Sequence, residues 1–351
     1  MLTRPFSVRR RSKSYDITSR GMGLLALLGV GNLAIWAWAC VAFRDMPLLL
    51  GAAALAYSLG LRHAFDADHI AAIDNVTRKL MQDGKRPVAT GLFFSLGHST
   101  VVVALSVAVA LGFVALIGQP STFKDIAGTF GTSVSALFLL AIAAANALLM
   151  LQVYRAFRMV RRGVRISEAE LQRILGRRGL LVRPFGGLFR FIGKSWHMFP
   201  LGLLFGLGFD TATEIGLLGM SASQVAHGMS IWTVLIFPAL FAAGMSLMDT
   251  ADGIVMIGAY GWAFAKPSRK LVYNMAITSV SAVAGLGIGG IEVLGIIHDK
   301  FELGGRVWAA IKRINGDFAL LGGALVVILV SSWLVSIVMH RTANAARVIR
   351  K

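Results

Sequence analysis

The sequence predicts an all-α polytopic membrane protein, a bundle of about eight transmembrane helices with both termini in the cytoplasm. Three observations predict it. Hydrophobic residues make up 56% of the 351 and charged residues only 15%. A soluble domain is about 45–50% apolar and about 25% charged, so the surplus apolar surface here has lipid as its natural solvent. The apolar residues come in runs of about 20, the length that crosses a hydrocarbon core of about 30 Å. The Lys and Arg residues lie between those runs, mostly at every second gap.

The runs can be placed in order. The N-terminus, MLTRPFSVRRRSKSYDITSR, is basic, and the apolar stretch after it lacks a small-residue cleavage site. It reads as a cytoplasmic arm (1–21) before a retained helix, not as a signal peptide. Span 1 covers about 22–44 and span 2 about 47–74, apolar at first and then polar in RHAFDADHIAAIDN. Spans 3, 4 and 5 cover about 88–117, 130–154 and 197–219. Span 6 runs from about 230 to 264, long enough to hide a break near Asp249 to Gly253. Spans 7 and 8 cover about 271–297 and 317–340. Together they make one transmembrane domain over 1–351, with 155–196 as a basic cytoplasmic loop. Ser167 and Glu170 give that loop a capping-box pattern for a short helix. The lone cysteine, Cys40, excludes an intrachain disulfide and is expected to serve packing alone.

Orientation follows from the basic residues. The arm, the gap between spans 2 and 3, the 155–196 loop, 266–270 and the segment after 340 carry 28 Lys and Arg. The opposite side carries 6, namely Arg44, Lys124, Lys300, Arg306, Lys312 and Arg313. The rich side is cytoplasmic. The net charge of +18 therefore reflects topology, and nucleic acid is excluded as a partner.

Ionisable residues inside the spans are the functional signal. Each costs about 2.5–3.5 kcal/mol at a helix centre on insertion scales, so a group of them needs a shared interior or a wet cavity. Span 2 carries Arg62, His63, Asp66, Asp68 and His69. On an ideal helix His63, Asp66 and His69 share one face about 120° wide, while Asp68 points elsewhere unless the helix is unwound there. Two imidazoles with a carboxylate suit nickel, cobalt, zinc or copper, and do not suit magnesium or calcium. His98 in span 3 sits beside Gly97, which permits close helix approach. Span 5 holds Asp210 and Glu214 at i, i+4 with Thr213 close to that face, and span 6 holds Asp249 and Asp252 at i, i+3. No basic residue in span 5 neutralises its acids, which points to a cation path. Asn146 in span 4 fits either a helix–helix hydrogen bond or that path. His197 and His340 lie at span ends and His227 and His298 in outer loops, where at most they collect metal.

Four motifs in order, RHAFDADHI (62–70), LGHSTVVV (96–103), LGFDTATEI (207–215) and GMSLMDTADG (244–253), resemble the nickel/cobalt transporter family. These are eight-helix secondary permeases of bacteria and fungi. His63, Asp68 and His69 carry the family's H-x₄-D-H signature. The resemblance implies high-affinity uptake of Ni²⁺, and of Co²⁺ in some members, across a bacterial inner membrane. It implies no ATPase subunit, no prosthetic group and no enzymatic activity. It marks His63, Asp66, Asp68, His69 and His98 as metal ligands, and Asp210, Thr211, Thr213, Glu214, Asp249 and Asp252 as path-lining. Asn32 and Phe65 are candidate tuners of selectivity. An exporter of the same metals is the alternative, but export relatives often carry His-rich cytoplasmic loops and 155–196 has no His. A membrane metalloenzyme using the His/Asp cluster to activate water is the rival from another class.

Overall fold

The computed structural model describes residues 8–111, 122–161, 192–208, 212–264, 267–315, 320–328 and 331. Among these, every regular element is a helix: α1 (Val8–Ala42), α2 (Pro47–His63), α3 (Ala67–Gln82), α4 (Thr90–Ala110) and α5 (Thr122–Arg161). A short 3₁₀ turn (Ser195–His197) leads into α6 (Met198–Phe205), followed by α7 (Ala212–Ala226), α8 (Ile231–Val234) and α9 (Ile236–Phe264). Then come α10 (Pro267–Phe301) and α11 (Arg306–Asn315), with a further helical stretch at 320–328.

Five of the described segments are long and apolar enough to cross a membrane: Ser19–Ala42, Thr90–Ala110, Gly128–Leu148, Ile231–Gly261 and Thr278–Phe301. The pair α2 and α3, bent by 51° at residues 64–66, makes a sixth if it counts as one broken span. The expected spans 5 and 8 run through 209–211, 316–319, 329–330 and 332–340, outside the described residues. So do both chain ends and the core of the 155–196 loop, including Ser167 and Glu170.

Four expectations change. Span 2 is not a straight helix. Asp66 stands immediately before α3, where Asp favours helix initiation, and its carbonyl accepts from the Ile70 amide at 3.2 Å. Span 6 has no break at Asp249 to Gly253, because α9 runs through it, and its one irregularity lies at Leu235 between α8 and α9. Arg78 and Lys79, expected in a cytoplasmic connection, are buried within α3. Cys40 is exposed on α1, so it does not pack in a core.

The chain divides into two compact units interleaved in sequence. The first comprises Met1–Ala64, Val76–Gly131 and Lys194–Ile257. Its core draws Ala53 and Ala56 from α2, Val102 from α4, Leu217 from α7, and Phe237, Leu240 and Phe241 from α9 around Phe43, whose ring stacks on Phe237 at 5.6 Å. Gly97 of α4 lies against the Phe199 carbonyl of α6 and Gly202 of α6 against the Phe94 carbonyl, so a Cβ at either would strike backbone. With lipid as solvent, such close backbone contact supplies association that hydrophobic burial cannot.

The second unit comprises Phe65–Asn75, Thr132–Gly193 and Gly258–Lys351. Here Gly285 and Gly289 of α10 admit Ala143, Leu139 and Ala136 of α5. Hydrogen bonds link buried polar groups within the same unit. Ser135 donates to Glu292 at 2.9 Å, and Asn146 donates to Asn75 at 2.9 Å. The Tyr260 hydroxyl donates to Asp74, and Ser281 donates to the other oxygen of Asp74 at 3.2 Å.

Candidate metal-transit site

The first unit gathers four of the sequence-predicted residues. His63 is the last residue of α2, His98 sits mid-way along α4, Glu214 lies in the first turn of α7, and Asp249 lies in α9. All four are buried, with 1–3% of their surface exposed. His98 Nε2 lies 2.9 Å from His63 Nε2 and 2.9 Å from Glu214 Oε1, and His63 Nε2 lies 3.9 Å from the same oxygen. Asp249 has His63, His98 and the Ser95 hydroxyl as its electrostatic neighbours. Phe241 packs on the His63 ring at 5.5 Å.

Local sequence explains why these side chains meet. Gly91 of α4 lies against the Asp249 carbonyl and Gly60 of α2 against the Phe241 carbonyl, leaving no room for a Cβ at either. These glycines let α2 and α4 approach α9 at backbone distance. His63 lies three residues after Gly60, and His98 two turns beyond Gly91, so each imidazole is delivered close to α9.

The three polar atoms at the centre compete for hydrogens. His98 Nε2 carries at most one hydrogen, yet two acceptor-capable atoms stand 2.9 Å from it. A metal ion would resolve the competition by taking a lone pair from each. Donors bound at about 2.1 Å stand about 3 Å apart at right angles and about 3.4 Å apart at the tetrahedral angle. The separations of 2.9, 2.9 and 3.9 Å bracket that range. Imidazole nitrogen with carboxylate oxygen is the donor set of borderline transition-metal dications.

The other predicted residues are distributed as follows. Asp66 is buried in the break after α2, Asp68 is half-buried in the first turn of α3, and His69 beside it is fully buried. Because the helix breaks, the single straight face expected for His63, Asp66 and His69 does not form. Asp252 is half-buried one turn beyond Asp249. Asp210 and Thr211 lie outside the described residues, as does the side chain of Thr213 in α7. Asn146 makes the helix–helix bond to Asn75. Asn32 donates to the carbonyls of Leu28 at 2.8 Å and Ala243 at 3.3 Å, tying α1 to α9. Phe65 is half-buried, and Gly322 leaves room for its carbonyl.

Comparison with known proteins gives the family. A family model described as "High-affinity nickel-transport protein", NicO, matches residues 49–339. The chain belongs to the NicO family. This NicO chain is 56% identical over 318 residues to a high-affinity nickel transport protein of Cupriavidus necator, covering 91% of each chain. It is 47% identical to the nickel transporter NixA of Staphylococcus aureus over 88% of this chain and 89% of that one. It is 42% identical to the cobalt transport protein NhlF of Rhodococcus rhodochrous over 81% of both. No solved structure matches the NicO chain. The NicO family is one of transporters and not of enzymes, which sets aside the metalloenzyme reading, and its apolar helices make this a multi-pass membrane protein.

Sequence reasoning missed two buried acids of the NicO chain, Asp74 and Glu292. Both carried the same signal as the residues it found, a carboxylate inside an apolar run. Phe241 was also missed, and only the fold brings it to His63.

Proposed function

We propose that this protein takes up Ni²⁺, and Co²⁺ as a second substrate, across a bacterial inner membrane as a secondary permease without an ATPase subunit. Its substrate is the ion itself, and it carries no prosthetic group. The observation that carries the reading is the meeting of His98 Nε2, on a helix of membrane-crossing length, with His63 Nε2 and Glu214 Oε1, each at 2.9 Å. His63, Asp66, Asp68, His69 and His98 supply the nitrogen and oxygen ligands. Glu214, Asp249 and Asp252 line the path with Asn146, Asp210, Thr211 and Thr213. Asn32 and Phe65 shape the surroundings that set the preference between nickel and cobalt. The whole of 1–351 acts as one transport domain, since the family match runs through both units.

The test is uptake of labelled Ni²⁺ by cells making the wild type or His63→Ala, with Co²⁺ as competitor. The wild type accumulates nickel, Co²⁺ in excess suppresses accumulation, and His63→Ala reduces it to background. Undiminished uptake by the variant removes His63 from the site. Faster loss of preloaded nickel in cells making the wild type reverses the direction to export.

A further inference from the structure

Beyond the ion path, α11 has an arrangement the transport site does not use. Its sequence, RVWAAIKRIN, places Val307, Ile311 and Ile314 within about 60° on an ideal helix, with Trp308 and Ala310 at the edges. Arg306, Lys312 and Arg313 fall on the opposite half, and the helix contains no acid. Val307 is 70% exposed and Ile314 40% exposed, so the protein leaves much of the apolar stripe uncovered.

The setting of α11 is fixed by its neighbour. It begins five residues after Phe301, the end of the membrane-crossing segment Thr278–Phe301. The reversal between them uses positive φ angles at Glu302 (48°) and Gly305 (112°). His298 Nδ1 donates to the Leu303 carbonyl at 2.8 Å, and the His298 ring stacks on Trp308 at 6.0 Å with 14° between planes. Asn315 packs on Gly295. From Trp308 to Asn315 the chain advances about 10 Å along α11, while the contacts move only about 4.5 Å down α10. So α11 lies across α10, as a helix resting in the plane of a membrane surface would.

We infer that α11 is an interfacial anchor: Val307, Ile311 and Ile314 sink into the acyl boundary, and Arg306, Lys312 and Arg313 bind the phosphates of anionic phospholipids. The neighbouring charged groups Asp299, Lys300 and Glu302 sum to −1, so attraction to anionic lipid falls to α11. A short amphipathic helix with a basic polar face binds by buried apolar area and by attraction to anionic headgroups together. The inference rests on the protein being a membrane transporter, and its test does not depend on nickel.

The full-length chain carrying Cys40→Ser is labelled with a nitroxide at Val307→Cys or, separately, Ala309→Cys. It is reconstituted in phosphatidylcholine vesicles with or without phosphatidylglycerol. With phosphatidylglycerol, the label at 307 relaxes with dissolved oxygen in preference to chromium oxalate, and the label at 309 shows the reverse. Omitting phosphatidylglycerol, or neutralising Arg306, Lys312 and Arg313 to Gln, lowers the docked-to-undocked ratio at 307 by about fivefold per charge. Chromium oxalate access at 307 equal to that at 309 overturns the inference, and so does indifference of 307 to lipid charge. Nickel uptake measured in the same vesicles separates the two readings. Uptake with 307 in water rejects the anchor alone, and a docked helix without uptake counts against transport alone.

Discussion

At the scale of single residues, the site is built to lose a competition among its own atoms. Two imidazole nitrogens and a carboxylate oxygen crowd within 3.9 Å, away from water. A dication bound there would satisfy all three. Glu214→Gln keeps the shape and removes the carboxylate charge. Partners that support metal ligands are worth about 10–100-fold in affinity, so the KM for Ni²⁺ uptake should rise by at least about tenfold in this variant. Initial rates over a range of nickel concentrations measure it, and an unchanged KM would place Glu214 outside the site. The histidines were legible in the sequence by their company, His63 and His69 with Asp66 and Asp68 in span 2, and His98 beside Gly97 in span 3. Asp74 and Glu292 were equally exceptional, yet they stood outside the motifs that drew attention. What the sequence could not reveal is the pairing, since His98 and Glu214 are 116 residues apart.

At the scale of helices, five of the eight apolar runs coincide with described helices long enough to cross lipid, and their length foretold little about straightness. The break at 64–66 follows from Asp66 starting a new helix, a local signal that an ideal helical wheel ignores. The suspected break in span 6 does not occur, because Asp249 and Thr250 are buried against neighbouring helices and α9 needs no bend to shelter them. Helix contacts were foreshadowed only by glycine. Gly97 faces the Phe199 carbonyl, whereas Gly287 of α10 has open space where a Cβ would sit. Gly97→Ala should therefore destabilise the folded protein by about 1–3 kcal/mol, and Gly287→Ala should leave it unchanged or slightly more stable. Thermal unfolding of the two variants in detergent compares them directly. Equal midpoints would mean that α4 and α6 do not meet as closely as described.

At the scale of the whole molecule, the +18 charge and the cargo respond to the same membrane field. The Lys and Arg set the orientation expected from the sequence, and a moving dication would supply a driving force. A doubly charged ion gains about 4.6 kcal/mol per 100 mV on moving to the negative side. Each 1.4 kcal/mol is about tenfold in an equilibrium ratio, so about 30 mV is worth a tenfold gradient of Ni²⁺. A permease without an ATPase subunit can concentrate nickel on this force alone. Vesicles bearing the purified protein, with the potential set by a potassium gradient and valinomycin, put the argument to measurement. Steady-state accumulation should rise about tenfold for each additional 30 mV, inside negative, and vanish when the potassium gradient is removed. Accumulation indifferent to the potential but responsive to an imposed proton gradient would show instead that carboxylates of the path exchange two protons for each ion, leaving no net charge to feel the field.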